Sequence, residues 1–365
     1  MPHASKRKLR KILLLALPTI VVVTLIIIVI AILRFLLPLH QFLIKNNISP
    51  KLAYNILTGN APPIKQFQGR TNIVVLGISG GERDGADLTD TIMFFSIDMV
   101  KKDVVLVSVP RDLWIPTLKA KINTAYHYGE EKKPGEGGLV LAKSALSEAL
   151  GQPVAYAVLL NFADFKTIID TVGGVDVNVQ VAFEDDKFPI PGKEEDFCAG
   201  DPDFLCRYEH IRFDKGVQHM VGETALKYVR SRQAHNGEGT DFARGRRQQE
   251  VLLALKEKLI ERNLLKNPNQ ALELLTTIDT IVKTDMTWAE KIVLGNFFVR
   301  NQAIALRRIS LDSGDTVQGK AGYLINPPLW AYNGVWVLVP RTGDFAQIHE
   351  HVACQLRDPA CTKKP

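Results

Sequence analysis

The sequence predicts an α/β domain of three layers, with helices covering both faces of a central sheet. Two observations carry this. First, TNIVVLGI (71–78), TIMFFSID (91–98) and DVVLVSVP (103–110) are β-branched and almost continuously apolar, the composition of strands buried on both faces. Second, helical patterns interleave with strands. LVLAKSALSEAL (139–150) stops at Gly151, AYAVLLN (155–161) is again a strand, and FADFKTIIDTV (162–172) is a helix ended by Gly173 and Gly174. A strand–helix alternation of this kind needs helices on both sides of the sheet.

The remaining elements follow in order. VDVNVQV (175–181) alternates with period two, as a half-exposed edge strand should. A loop-rich stretch covers 182–218, followed by a short helix, GETALKYVR, and a long one over 241–263. Further helices are expected near 267–280 and 287–300, strands at 305–311 and 335–340, and a last helix near 343–356. No internal repeat and no second domain is marked, so 71–356 reads as one domain, with a polar, Pro-containing linker over 38–70 before it and a tail over 357–365.

The chain of 365 residues carries a net charge of +6, and its location matters more than its size. Lys6, Arg7, Lys8, Arg10 and Lys11 crowd the first eleven residues; the rest holds 40 basic against 39 acidic residues. A near-neutral remainder offers no broad cationic surface, so nucleic acid is not an expected partner. Ile12 to Leu33 follows without one charge, 22 residues in all. About 20 apolar residues span a ~30 Å hydrocarbon core, and cleavable signals have shorter apolar regions. The reading is a retained single-pass anchor over 12–37. The basic flank, 1–11, is cytoplasmic and the main domain extracytoplasmic. Four cysteines suit an oxidising compartment. Three pairings are possible, and spacing favours Cys198–Cys206 and Cys354–Cys361.

Five arginines fall within the eighteen residues from Arg230 to Arg247, in YVRSRQAHNGEGTDFARGRR. A helix N-terminus disfavours cations by about 0.3–1 kcal/mol each. Yet Arg244, Arg247, Gln248 and Val251 share one helical face, which continues into Leu252, Leu255 and Leu259, the stripe that must pack on the sheet. Buried guanidinium groups need partners, and an anion at the helix N-terminus would supply one. Thr240 or Asp241 is placed to cap that end. VPRD puts Arg111 and Asp112 directly after a buried strand, where sites of open α/β sheets gather. Asp90 heads another strand, and KINTAY supplies Lys121 and Asn123. Arginines with acids nearby suit a pyrophosphate and a divalent cation. Phe162, Phe165, Ile168, Ile169, Val251, Leu252 and Leu255 read first as core. No nucleotide-binding glycine motif, histidine metal spacing or hydrolase serine elbow is present.

TDTIMFFSID, LVSVPRDLWIP, KINTAYHYG, NFADFKTIIDTVGGVDV and YVRSRQ…DFARGRRQQ, in that order, resemble the LytR–CpsA–Psr family. The resemblance implies an α/β/α sandwich with a mixed sheet behind one membrane anchor. It implies Mg²⁺-assisted transfer of a glycopolymer phosphate from a polyprenyl-diphosphate carrier to a wall acceptor, usually peptidoglycan, with the lipid tail in an apolar tunnel for which those seven core residues, Phe162 to Leu255, are also the candidate lining. Position by position, Asp90 matches the metal-associated aspartate, Arg111 the arginine of the PRD block and Lys121 the lysine before IN. Arg230, Arg232, Asp241, Arg244 and Gln248 match the block that grips the diphosphate, and Arg247 joins them by helical phase. Asp90, Arg111, Asp241 and Arg244 are the expected catalytic residues, with Asp241 either capping the helix or acting as general base. Two positions depart from the family: Ser79 where an aspartate is common, and Leu88 where an arginine is usual. Asp84 or Asp87 is then the candidate for a second metal carboxylate. The rival readings are a polyprenyl-diphosphate hydrolase and a non-catalytic lipid-linked glycan-binding regulator of the envelope.

Overall fold

The computed structural model describes residues 48–58, 64–81, 84–261, 268–301, 304, 306–315, 320–358 and 360–361, with scattered positions between 30 and 46. The basic tail 1–11 lies outside the described residues, as does nearly all of the apolar run 12–37. No helix among the described residues is long and apolar enough to cross a membrane. Before Pro63 lies α1 (Pro50–Thr58), within what sequence reading took as linker.

From Pro63 onward the chain forms a second unit. Its elements begin with β1 (Thr71–Ile78), β2 (Thr89–Asp98), β3 (Asp103–Ser108), α2 (Ala125–Lys132), α3 (Gly137–Leu150), β4 (Tyr156–Asn161) and α4 (Phe162–Thr171). Next come β5 (Val175–Val179), β6 (Phe183–Pro189), β7 (Tyr208–Phe213), β8 (Gly216–Met220), α5 (Gly222–Arg230) and α6 (Asp241–Glu261). The chain closes with α7 (Pro268–Ile281), β9 (Lys283–Thr284), α8 (Trp288–Arg300), β10 (Leu306–Ser310) and α9 (Ala346–Arg357). The main sheet runs β9-β4-β1-β2-β3-β10. It is mixed: β1 and β4 are parallel, as are β3 and β10, while β2 is antiparallel to both its neighbours.

Period-two alternation sorts the strand side chains onto two faces. Val74, Leu76, Phe94, Val105, Val107 and Ala157 pack with Leu146 and Ala149 of α3 and with Ile348 and Val352 of α9. Ile73, Ile97, Val104 and Tyr156 point the other way, toward Met286 and Phe297. Burial on both sides explains why the three leading strands read as unbroken apolar runs. Gly151 ends α3 with φ of 64°, and a Cβ there would come within 2.5 Å of the His349 ring on α9. That position therefore takes glycine for its backbone and for the close approach of two helices. Asn161 and Asp164 form a reciprocal capping box that turns β4 directly into α4.

Three expectations are corrected. Residues 175–179 alternate as predicted, with Val175, Val177 and Val179 buried, but β5 pairs with β8 in a separate ribbon instead of edging the main sheet. The stretch 182–218 is not mainly loop: β6 and β7 pair antiparallel within it, their many charges exposed on one side. At 335–340 only Val339–Pro340 forms a strand, because Val335 and Trp336 are exposed after the turn at Asn333 and Gly334. Both local cysteine clips are formed, Cys198–Cys206 and Cys354–Cys361, with Cα–Cα separations of 5.4 and 5.9 Å.

Candidate functional site

On the β1–β2 side opposite α3, the sheet does not close against its helices. Val75 and Met93 face α4, α5 and α6 across a cavity of about 610 Å³. All seven candidates for tail burial line it: Phe162, Phe165, Ile168 and Ile169 from α4, and Val251, Leu252 and Leu255 from α6. Gly77 lies on its wall because β1 and β2 run close there; a Cβ at Gly77 would stand 2.9 Å from the Cβ of Thr91.

The mouth of this cavity is polar. Asp90, Arg230, Arg232, Arg244 and Gln248 line it. Asp90 heads β2, and its carboxylate accepts a hydrogen bond from Nη1 of Arg111, which emerges just after β3. Arg244 is only 6% exposed. Its Nη2 stands 3.0 Å from Oδ1 of Asp241, and the same carboxylate oxygen lies 3.5 Å from Nη2 of Arg232. The Gln248 amide donates to the Thr91 hydroxyl at 2.7 Å. Arg230, the last residue of α5, stacks its guanidinium over the Phe162 ring at 4.3 Å. A second, more polar cleft of about 490 Å³ adjoins the first and shares Asp90, Arg244 and Gln248 with it. Arg111 and Asp241 line this second cleft.

Electrostatics mark Arg244 as the group most in need of an anion. Burial pushes its guanidinium down to about 10; Asp241 opposes the fall, while Arg232 and Arg111 add to it. Arg111 behaves differently. Burial pulls it down, but Asp90, Asp112 and Asp241 outweigh that and hold it above its ordinary value. Its buried Nε nevertheless makes no hydrogen bond. Cations outnumbering their carboxylates at the end of an apolar chamber suit an amphiphile with a strongly anionic head.

Four expected site residues lie elsewhere. Arg247 is 0% exposed and lines neither cavity. Its Nη1 donates to the Glu238 carbonyl at 2.8 Å, Nη2 donates to the Ser231 carbonyl, and the guanidinium lies 4.5 Å over the Phe183 ring. Arg247 sits about 60° of helical phase back from Arg244, enough to turn it from the cavity toward β6 and α5. Lys121 lies in a short hairpin with Trp114, and its Nζ donates to Asp112 at 2.7 Å. It thus stands beside Arg111 through a shared carboxylate, and lines neither cavity. Asp84 is exposed on the 84–87 turn, Asp87 pairs with His127 Nδ1 at 2.7 Å, and neither lines a cavity. The cap of α6 is the Thr240 hydroxyl, which accepts from the Ala243 N–H at 3.2 Å, leaving Asp241 for the arginines.

Sequence reading missed Asp185. It is 1% exposed and accepts hydrogen bonds from the Ser231 hydroxyl (2.6 Å) and the N–H groups of Arg232 (3.2 Å) and Gln233 (3.1 Å). It therefore fixes the turn that presents Arg232, and nothing local in the sequence of β6 announces it.

The domain thus joins a mixed sheet, an apolar chamber and an arginine-lined mouth in one α/β architecture. The model of the LytR_cpsA_psr family matches residues 44–329, and the chain belongs to that family. It is 28% identical over 222 residues to the polyisoprenyl-teichoic acid–peptidoglycan teichoic acid transferase TagU of Bacillus cereus, covering 59% of this chain and 60% of that one. It is 31% identical over 215 residues to the regulatory protein MsrR of Staphylococcus aureus, covering 57% and 55%. These matches span about 60% of the curated relatives' length or less. Among solved structures, Bacillus subtilis TagV superposes with a TM-score of 0.56 at 22% identity, covering 80% of this chain and 99% of that one. TagT bound to LIIa-WTA gives 0.53 at 22% identity, covering 81% and 95%. Both share the fold.

Proposed function

We propose that the protein is a phosphotransferase that moves a glycopolymer phosphate from a polyprenyl-diphosphate carrier to a cell-wall acceptor such as peptidoglycan. One observation carries this reading: a buried Arg244, short of anionic partners, at the junction of an apolar chamber and a polar cleft. The name of the TagU relative supports it. The carrier's tail fills the chamber, removing apolar surface from water at about 25 cal/mol per Å². Its diphosphate lies at the mouth among Arg111, Arg230, Arg232, Arg244 and Gln248. The apolar run 12–37 would hold the domain at the membrane, where the carrier resides.

Phosphoryl transfer asks the protein for positioning and charge stabilisation more than for covalent chemistry. A sugar hydroxyl of the acceptor attacks the glycan-bearing phosphorus in line, forming a new P–O bond while the bond to the bridging oxygen breaks. Polyprenyl phosphate leaves with the bridging oxygen. Asp241, on the wall of the polar cleft, is placed to take the hydroxyl proton. Mg²⁺ binds readily to one carboxylate plus substrate phosphate oxygens. Asp90, half-exposed at the mouth, meets that demand and would hold the ion, which would offset charge on the diphosphate.

The test is turnover of a polyprenyl-diphosphate-linked glycan with Mg²⁺, with and without soluble peptidoglycan fragments. Glycan phosphate on the fragment is the expected product, and EDTA should slow its formation at least tenfold. Free glycan phosphate whether or not fragment is present would make the protein a hydrolase. Tight carrier binding without turnover would make it a glycan-binding regulator.

A further inference from the structure

We propose that the polar cleft beside the chamber is the acceptor subsite and takes a neutral sugar ring of the wall glycan. This rests on the phosphotransferase reading and adds the place from which the nucleophile arrives. The two cavities meet at Asp90, Arg244 and Gln248. With the lipid tail in the apolar chamber, the departing phosphate lies on the chamber side of that junction. In-line displacement brings the nucleophile from the side opposite the leaving group. The polar cleft is that side.

Its construction fits a hydroxyl-rich ligand. Ser108 and Ser310 stand side by side at the carboxyl ends of the parallel strands β3 and β10, where open α/β sheets place their ligands. Gln249 donates its amide N–H to the Ser108 hydroxyl at 2.7 Å, which keeps its amide oxygen available to accept from a sugar. Gly245 is an independent indication. It lies inside the first turns of α6, where glycine is a poor helix former. Packing does not demand it, since a Cβ there would make ordinary contact with Ser108 at 3.6 Å. Glycine there leaves the floor of the cleft open and its backbone approachable by a ligand.

Two variants test this in the full-length protein held in detergent. Ser310→Trp places a large side chain at an exposed strand end, and Gly245→Leu fills the floor while improving helix propensity. Isothermal titration with a soluble peptidoglycan disaccharide-peptide should show at least tenfold weaker binding in both. Titration with a polyprenyl diphosphate should change less than twofold. Equal weakening of both ligands, unchanged fragment affinity, or a wild-type protein that does not bind the fragment overturns the subsite. A wild-type protein that binds the fragment in this cleft yet never turns over the carrier sinks the phosphotransferase reading and leaves the subsite standing.

Discussion

Arg244 and Arg247 carry the same charge three residues apart on one helix, and their surroundings give them opposite roles. Arg244 faces the cavities with Asp241 as its carboxylate partner, while Arg247 is locked among Glu238, the Ser231 carbonyl and the Phe183 ring. Removing one charged donor from a transition state typically costs ~2.7–4 kcal/mol. Arg244→Ala and Arg111→Ala should therefore lower glycan transfer by 10²-fold or more with the unfolding midpoint nearly unchanged, as steady-state assays beside urea titrations would show. Arg247→Ala should act through the fold, because it leaves the Glu238 and Ser231 carbonyls without their buried donor, a loss of about 1–3 kcal/mol for each group left unsatisfied. Urea unfolding of that variant should show the drop, and a wild-type midpoint would refute the structural role.

At the scale of elements, α6 and the β3–β10 edge make separate predictions. Gly245→Ala should raise stability by about 0.5–1 kcal/mol, the propensity difference between the two residues, because the space above it accepts a methyl group. A loss of stability would mean that the helix already crowds Ser108. On the sheet edge, Asp103 ties β3 to β10 by accepting from Arg307 Nε at 2.8 Å and Nη2 at 2.7 Å. Burial raises its carboxyl, but the Arg307 and Arg70 guanidinium groups outweigh burial and hold it below its ordinary value. A depressed carboxyl stabilises the fold above its unfolded pKa, about 4, and the stability is lost as pH falls through the lower folded value. Wild type should therefore be more stable than Asp103→Asn near pH 7, and the gap should narrow below about pH 4. Unfolding curves across that range check the sign.

For the whole molecule, the chamber is what a fully closed α/β domain would lack. If the chamber holds the tail, Leu252→Trp should raise KM for a long-chain carrier at least tenfold while shifting that for a short-chain diphosphate much less. Equal effects on the two would place the tail elsewhere. The same side chains could not be assigned from sequence, because Phe165 or Leu255 is equally apolar whether it meets another side chain or a void. Only the failure of α4 and α6 to close on the odd-numbered face of β1 and β2 creates the space.

Local patterns in the chain determined much of this. The apolar runs set the inner strands, and the 3.6-residue stripes set α3, α4 and α6. The cysteine spacing favoured the two clips, and the inward turn of Arg244 was legible from helical phase. Tertiary structure decided what depends on partners distant in the chain. It moved 175–179 out of the main sheet to pair with 216–220, and it brought Asp185 under the Arg232 turn. It also gave Arg247 to Glu238 and left Asp87 with His127. A side chain's periodicity is written in its neighbours along the chain, but its partner is chosen by which elements pack together. That choice separated the arginines facing the cavities from the one holding the fold.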